Sequence, residues 1–255
     1  MSLRRTVWLV GVLGLAAGCY HRSPAGAAPR PVVRPEAELE RALQMFRRGS
    51  FRRAQLILQR LTFEFAPSQP ELATVRFYLA ECYFQTGDRV QAAHEFSKVA
   101  DDFPGSEYAP VALLRAGDSN LRLWRRAELD PTYGETALSI YQTLASLYPN
   151  SDAAARARLH VRRLQEQFAE KTYKNGMFYL KRKAYDSGII YFKDVIANYP
   201  ATKRAPDALL RLVDSYRAIG YTEELEETCA HLRRFYPTAT GLDKGCPAPA
   251  PGAPS

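Results

Sequence analysis

Residue types that could carry out chemistry are few in this sequence and lie far apart. Its cysteines and histidines form no C-x-x-C or H-E-x-x-H pattern, which excludes the usual zinc, thioredoxin-like and metalloprotease motifs. The signatures G-x-x-x-x-G-K-S/T, G-x-G-x-x-G and G-x-S-x-G are also absent. Asp101-Asp102 is a carboxylate pair, but adjacent helical residues point in different directions, which favours a solvated helix end. The sequence therefore predicts no enzyme, no metal site and no cofactor. The cysteines are Cys19, Cys82, Cys229 and Cys246, and the histidines are His21, His94, His160 and His231.

The composition is that of a folded, basic protein. Of the 255 residues, 46% are hydrophobic and 24% are charged, which fits neither a wholly disordered chain nor a polytopic membrane protein. There are 35 lysines and arginines against 27 acidic residues, which gives a formal net charge of +8. Such a balance suits nucleic acid, anionic lipid or an acidic partner protein.

The first 18 residues are predicted to be a signal peptide outside the fold. Arg4 and Arg5 precede an uncharged, mostly apolar stretch at 6–18. This stretch is shorter than the roughly 20 residues that a membrane-spanning helix needs, but it suits a signal peptide. The LAAGC sequence at 15–19 resembles a bacterial lipobox, in which Cys19 takes a diacylglycerol and becomes the acylated N-terminus. Its leucine stands one position earlier than is usual, and an ordinary cleaved signal peptide is the alternative.

Residues 19–35 are predicted to be a lipid-anchored tether. Lipoproteins that resemble this one stay at the inner membrane when Asp follows the cysteine, so Tyr20 implies sorting to the outer membrane. The segment is rich in Pro and Ala and has no apolar period, so it cannot bury a core. Export would also place the remaining thiols in an oxidising compartment.

An aromatic residue followed by proline recurs along the chain and marks the ends of predicted helices. The prolines at 67, 104, 149, 200 and 237 are separated by 37, 45, 51 and 37 residues. Proline cannot continue a helix, so each copy indicates where one helix pair ends and the next begins. The copies are Phe65-Ala66-Pro67, which is the loosest, Phe103-Pro104, Tyr148-Pro149, Tyr199-Pro200 and Tyr236-Pro237.

A helical pattern precedes these prolines. In most copies a small residue stands twelve positions before the proline, an aromatic one eight before, and an apolar one five before. These positions share one helix face, and a glycine about 17 positions before the proline would end the preceding helix. The pattern resembles the tetratricopeptide repeat, whose period is ~34 residues. It predicts an all-α solenoid of about five stacked helix pairs.

Domain boundaries follow from the same pattern. Residues 36–150 are predicted to hold the N-terminal repeats, and residues 151–240 a long helix followed by the C-terminal repeats. Only Gly176 interrupts the helical pattern between Ser151 and Lys183, so one long helix is expected to join the two halves. The low-complexity tail at 241–255 is predicted to be disordered.

The two C-terminal cysteines could form a disulfide bond. Cys229 and Cys246 are 17 residues apart, and a flexible tail could bring them together. A bond would restrict the unfolded chain and stabilise the fold by a few kcal/mol, while two free thiols are the alternative. Cys82 lies beside Tyr83 and Phe84 and is predicted to be a small core residue.

A groove formed by the first helices of the pairs is the usual binding surface of such solenoids. Exposed Phe and Arg side chains there would anchor an extended protein segment, but the same aromatic rows could instead belong to the core. In the first two pairs the predicted groove comprises Leu43, Phe46, Arg47, Phe77, Glu81 and Phe84.

Three passages resemble the BamD family of lipoproteins that assemble outer-membrane β-barrels. The sequence at 130–133 (DPTY) resembles an insertion in the third repeat of that family, and residues 176–200 resemble its fourth repeat. The third passage is the echo between 108–113 (YAPVAL) and 204–209 (RAPDAL), in which proline occupies the first turn of a helix. The resemblance covers about residues 36–240.

The resemblance implies a non-enzymatic scaffold that is lipid-anchored on the periplasmic face of the outer membrane. Its implied partners are the POTRA domains of a BamA-like barrel subunit, bound mainly by the C-terminal repeats, and the other subunits of the assembly machine. The N-terminal repeats are implied in receiving unfolded outer-membrane proteins or in regulating the barrel subunit.

An alternative function is an exported adaptor for cell-envelope or peptidoglycan machinery, although residues 20–35 hold no heptads of an N-terminal coiled coil. Nucleic-acid binding is disfavoured because the chain is predicted to be exported. The paired arginines along the chain would instead meet acidic protein surfaces or anionic lipid.

Overall fold

The computed structural model describes residues 34–124 and 130–246, and within those ranges the chain forms eleven helices and no strand. The predicted signal peptide, Cys19 and nearly all of the tether lie outside the described residues, as does the tail from residue 247 onward. The helices are α1 (Pro35–Arg47), α2 (Phe51–Glu64), α3 (Glu71–Thr86), α4 (Arg89–Asp102), α5 (Tyr108–Leu123), α6 (Thr132–Leu147), α7 (Asp152–Lys181), α8 (Tyr185–Asn198), α9 (Arg204–Ile219), α10 (Thr222–Phe235) and α11 (Leu242–Gly245).

Helices α1 to α10 form five antiparallel pairs that stack in chain order, which confirms the predicted solenoid. Each helix packs on the next, and the first helices of neighbouring pairs also touch. Because the helices alternate in direction, the turns within pairs lie along one edge and the turns between pairs along the other. Two tyrosines link successive turns of the second edge. The Tyr148 hydroxyl donates to the Pro104 carbonyl at 2.8 Å, and the Tyr236 hydroxyl donates to the Pro200 carbonyl at 2.7 Å.

The repeat pattern marks the helix faces that are buried. The aromatic residues eight positions before the prolines, Phe96, Tyr141 and Phe192, have no solvent exposure. Burial of such large side chains is the main favourable term for each pair. The apolar residues five positions before the prolines are equally buried, and they are Val99, Leu144, Val195 and Leu232.

Glycines on two first helices admit the aromatic rings of the second helices. A Cβ added to Gly117 of α5 would lie 2.5 Å from the Tyr141 ring of α6. A Cβ added to Gly176 of α7 would lie 2.6 Å from the Phe192 ring of α8. Only a residue without a side chain lets these helices approach so closely.

Helix α7, with 30 residues, matches the predicted long helix and belongs to two hydrophobic cores. Leu164 and Phe168 pack in the core that α7 shares with α5 and α6. Tyr173 and Met177 pack against the core of the last two pairs. The Ser151 hydroxyl caps the helix by accepting a hydrogen bond from the Ala154 amide at 3.1 Å.

The turns within four of the pairs require a backbone with positive φ. Gly49, Gly87 and Gly220 have φ angles of 75°, 94° and 79° in the first, second and fifth pairs. Lys183 has a φ of 60° in the fourth pair, where the other three turns use glycine. The fourth turn therefore carries a strain of about 1 kcal/mol or more that its counterparts avoid.

The predicted disorder of the tail from residue 241 is wrong for its first residues, because Leu242–Gly245 form α11. A disulfide bond joins Cys229 of α10 to Cys246, and both cysteines are buried. Leu242 packs against the core of the last two pairs, and the Arg217 side chain donates to the Gly245 carbonyl. A cross-link distant in sequence thus orders a segment whose composition alone indicates disorder.

The glycine at position 176 should be irreplaceable, whereas the glycine at position 188 should not. Gly176→Ala should lower the free energy of unfolding by about 1–3 kcal/mol because the new methyl group overlaps the immobile Phe192 ring. Gly188→Ala is the matched control, since its Cβ would meet only ordinary contacts at 3.4 Å and beyond. That substitution should be neutral or stabilising by up to about 1 kcal/mol. Urea denaturation of both variants measures the difference, and equal losses would contradict the packing described for α7 and α8.

Removal of the disulfide bond should loosen the last helix pair. Cys246→Ala opens a loop of 17 residues, which the loop-entropy relation equates with a loss of about 3 kcal/mol. Amide hydrogen exchange should accelerate in α10 and α11 and stay unchanged in α1 to α4, which share no contact with that loop. The wild-type chain treated with reductant is the control and should reproduce the variant. Non-reducing alkylation that labels both Cys229 and Cys246 in the native chain would refute the bond.

Candidate protein-binding surface

The first helices of the first three pairs, α1, α3 and α5, carry a continuous row of aromatic side chains. The ring centroids of Phe46 and Tyr78 are 5.1 Å apart, and those of Tyr78 and Tyr108 are 6.3 Å apart. Phe77 stacks on Tyr108 with a centroid distance of 4.7 Å. Phe46, Tyr78 and Tyr108 are half-buried, so part of each ring faces solvent. We call these three residues the aromatic row.

Only some of the residues predicted for the groove are accessible. Arg47 is exposed, while Leu43 and Phe46 are half-buried against the core of the first pair. Phe77 and Phe84 are 9% and 4% exposed and belong to the core of the second pair. The expectation that exposed Phe side chains provide the anchors is therefore wrong for these two residues, because α5 covers them.

Tyr78 and Tyr108 are not among the residues that the sequence predicts for the groove. Tyr108 opens the YAPVAL passage, whose echo at 204–209 has Arg in its place. A position that holds Tyr in one helix start and Arg in the other is typical of a residue at the surface, so this difference could have pointed to Tyr108. Burial and then the neighbouring Tyr108 raise the pKa of Tyr78.

Glu81, also predicted for the groove, lies in a buried ion pair. It is 8% exposed, and its two carboxylate oxygens accept hydrogen bonds from Arg115 Nε and Nη2 at 2.5 and 2.7 Å. Burial by itself lowers the pKa of Arg115, but the hydrogen bonds and charge of Glu81, aided by Asp118, raise it overall. Asp118 in turn accepts a hydrogen bond from the Tyr141 hydroxyl at 2.8 Å. The network ties α3 to α5 and α6, so Glu81 holds the surface together and is not free to bind a partner.

Three guanidinium groups surround the Phe84 ring. The Cζ atoms of Arg115, Arg89 and Arg122 lie 3.9, 4.1 and 5.0 Å from its centroid. Partial burial, then the charges of Arg122 and Arg115, lower the pKa of Arg89. Only Arg115 among the three has a carboxylate partner in the described residues. This corner of the surface therefore holds an excess of positive charge.

The C-terminal half repeats this arrangement with one partner missing. Arg211 of α9 corresponds to Arg115 of α5, and it pairs with Asp214 at 2.7 Å much as Arg115 neighbours Asp118. Glu81 precedes Arg115 by 34 residues, and the residue 34 positions before Arg211 is Met177. Arg211 Nε lies buried without a hydrogen-bond partner in the described part of the chain, although Tyr173 of α7 interacts with the same guanidinium group. Its side chain is 36% exposed, so the rest of the guanidinium remains accessible to a carboxylate from outside.

The described residues offer chemistry for binding other proteins. They contain no group of three His, Cys, Asp or Glu side chains that could hold a metal ion. Burial and then the charge of Glu81 raise the pKa of Cys82 to about 12, so this thiol is not a nucleophile at neutral pH. Nor does any helix from residue 34 to 124 or from 130 to 246 have the length and apolarity to span a membrane. Aromatic faces and guanidinium groups, which commonly anchor protein partners, are what the surface presents.

Comparison with known proteins identifies similar chains. The family model YfiO, described as "Outer membrane lipoprotein", matches residues 34–232. The chain is 35% identical over 108 residues to the outer membrane protein assembly factor BamD of Caulobacter vibrioides, a match covering 42% of this chain and 35% of that protein. It is 27% identical over 186 residues to the BamD of Rickettsia prowazekii, covering 58% of this chain and 74% of that protein. The match thus spans about a third of the first relative's length.

Among solved structures, the chain is similar to a thermophilic TPR protein of Thermus thermophilus. The identity is 19% and the TM-score 0.38, with 82% of this chain and 95% of that chain covered.

Substitution of only one residue of the Glu81–Arg115 pair should strongly lower the free energy of unfolding. Glu81→Met copies the arrangement found around Met177 and leaves Arg115 with only Asp118, so the free energy of unfolding should fall by about 3 kcal/mol. The double variant Glu81→Met with Arg115→Met should recover most of that loss, because no unpaired charge then remains buried. Arg122→Met is the control for a nearby exposed guanidinium and should change stability by less than about 0.5 kcal/mol. Guanidinium denaturation measures all three, and a double variant less stable than Glu81→Met would contradict the pairing.

Proposed function

Because the chain belongs to the YfiO family of outer membrane lipoproteins, we propose that it is a lipid-anchored scaffold of the outer-membrane β-barrel assembly machinery. The observation that carries the proposal is the extent of the family match. It begins one residue before α1 and ends within α10, so it covers four helix pairs completely and most of the fifth. The relatives from Caulobacter vibrioides and Rickettsia prowazekii are both named as outer membrane protein assembly factors.

The anchor in this proposal is a lipid on Cys19, which holds the mature protein on the periplasmic face of the outer membrane. The lipobox-like sequence before Cys19 and the family description both support this assignment. Several acyl chains on one residue bind a bilayer far more firmly than a single chain does.

The two halves of the solenoid have different partners in this proposal. The aromatic row of α1, α3 and α5 would receive unfolded outer-membrane proteins, since amphipathic rings bind extended chains with little loss of side-chain entropy. The C-terminal pairs would bind the POTRA domains of the barrel subunit. Arg211 supports the second assignment, because its side chain is 36% exposed and a carboxylate of a partner could bind the accessible part of its guanidinium group. The role is that of a scaffold without catalysis.

Affinity purification of the tagged full-length protein from detergent-solubilised outer membranes tests this function. A barrel protein with POTRA domains should co-elute in stoichiometric amounts. Recovery of peptidoglycan-associated proteins alone would instead favour an adaptor of the cell envelope and overturn the assembly role.

Two substitutions test whether Arg211 contacts the barrel subunit. Arg211→Gln should lower the amount of barrel subunit that co-elutes by about tenfold, which is the effect of losing one charge-assisted hydrogen bond. Met177→Glu should weaken it similarly, because an internal carboxylate would then occupy Arg211 as Glu81 occupies Arg115. Arg163→Gln, which removes an exposed charge from α7, is the control and should leave recovery unchanged. Full recovery with both Arg211→Gln and Met177→Glu would contradict this contact while leaving the family-based role intact.

A further inference from the structure

The edge formed by the turns within pairs is strongly basic in the first three pairs. Four arginines flank the turn between α1 and α2, one begins α4, and one lies in the last turn of α5. All are exposed except the Arg89 side chain, which is half-buried. We call this set the basic edge, and it consists of Arg47, Arg48, Arg52, Arg53, Arg89 and Arg122.

Four of these arginines adjoin one another across the three pairs, and Arg47 and Arg48 precede them at the end of α1. A depression of 510 Å³ is lined by both Arg52 and Arg53 of α2 and by Thr86 of α3. A second depression, of 410 Å³, is lined by Arg52, Leu56, Thr86 and Asp88. Arg89 follows directly, and it shares the Phe84 ring with Arg122. The positive charges of three successive pairs therefore adjoin one another.

Few carboxylates pair with the arginines of the basic edge, although the exposed Asp130 and Glu135 lie at the turn of the third pair. Glu40 approaches Arg47 only to 4.0 Å, with both side chains more than 60% exposed. Asp88 caps α4 by accepting a hydrogen bond from the Gln91 amide and forms no ion pair in the described residues. An exposed ion pair of this kind contributes little, so most of the positive charge is directed to solvent.

The opposite edge of the same three pairs is acidic. Glu71 and Glu107 line a depression of 690 Å³ between the turns that precede α3 and α5. Asp101 and Asp102 end α4 nearby, and only Asp102 approaches an arginine, Arg76 at 3.8 Å. The N-terminal half therefore has a positive and a negative edge separated by the length of a helix, about 20 Å.

Apolar side chains accompany the arginines. Leu56, which lines the second depression, is 69% exposed, and Val90, next to Arg89, is 56% exposed. Arginines mixed with exposed aliphatic side chains suit the headgroup region of a membrane, where the guanidinium groups meet phosphates and the apolar groups insert shallowly.

We propose that the basic edge rests on the anionic lipid headgroups of the membrane that holds the protein's anchor. The inference rests on the proposed lipid on Cys19, which would confine the solenoid near that membrane. The 16 residue steps from Cys19 to Pro35 span at most about 55 Å when fully extended, which allows contact with either edge. Anionic headgroups attract the basic edge and repel the acidic one, so the contact fixes the orientation of the solenoid.

A membrane fits this surface better than an acidic protein does. The charges extend along three pairs of helices and do not converge on one pocket. Arg47 adjoins Phe46 and Tyr78 of the aromatic row that is proposed to bind protein, and the other five arginines lie at the turns within pairs. A protein partner remains a distinct outcome of the experiment.

The test measures which edge of the full-length protein faces the bilayer. Gln55→Cys places a fluorescent label on the basic edge, and Ser106→Cys places the matched label on the acidic edge. Selective labelling is possible because Cys82 is buried, Cys229 and Cys246 are bonded, and the proposed lipid occupies Cys19. The protein is reconstituted into vesicles of phosphatidylcholine alone or with phosphatidylglycerol, each containing a nitroxide-headgroup lipid as quencher.

The label at 55 should be quenched strongly in anionic vesicles and weakly in neutral ones, and the label at 106 weakly in both. Arg52→Gln with Arg53→Gln should weaken the anionic-lipid preference by about tenfold or more, given the contribution of each basic residue near an anionic surface. Arg162→Gln with Arg163→Gln removes the same charge from α7 and should leave the preference intact.

Several results would overturn the proposal. Equal quenching of the two labels, or equal losses from the two arginine pairs, would show that binding follows net charge and not this edge. Weak quenching in vesicles combined with protection of position 55 by another assembly subunit would assign the edge to an acidic protein.

Flotation on neutral vesicles tests the lipid anchor separately. A chain that floats only on anionic vesicles would refute the anchor and retain the basic edge, while one that floats on neither would refute both.

Discussion

The close approach of the two helices in a pair is the constraint on which the rest of the structure depends. In the third and fourth pairs a buried aromatic ring fills the space left by a glycine on the partner helix. Neither helix can bury its apolar face alone, so the pairs must stack, and stacking in alternating directions creates the two edges. The aromatic row and the basic edge are both consequences of this geometry, because each collects residues from helices that are distant in sequence.

Local signals made most of the fold predictable. Proline, glycine and helical periodicity act within a few turns, so five pairs and the long helix α7 could be inferred from residue spacing alone. The tail could not, because α11 depends on a bond between Cys229 and Cys246 that composition does not reveal. Lys183 occupies the position that is glycine in three other turns, and the strain in its turn is apparent only from its φ angle of 60°.

The candidate surface was less predictable, since its accessibility depends on how neighbouring pairs stack. Periodicity placed Phe77 and Phe84 on the correct helix, but it did not show that Tyr108 and Arg115 of the next pair cover them. Tyr78 and Tyr108 contact each other in the same cluster and remain half-buried. Glu81 and Met177 illustrate how equivalent positions diverge: one completes an internal ion pair, and the other leaves Arg211 incompletely satisfied.

The long helix α7 has a consequence for how the solenoid responds to stress. Arrays of repeats usually lose structure one unit at a time, because each unit contacts only its neighbours. Here a single helix carries Phe168 in one core and Tyr173 in the next, little more than one helical turn further along. The two halves therefore have no natural boundary at which to separate, and force applied to one half is transmitted to the other. A partner bound at the C-terminal pairs, as proposed above, would therefore act on a helix that is also part of the N-terminal core.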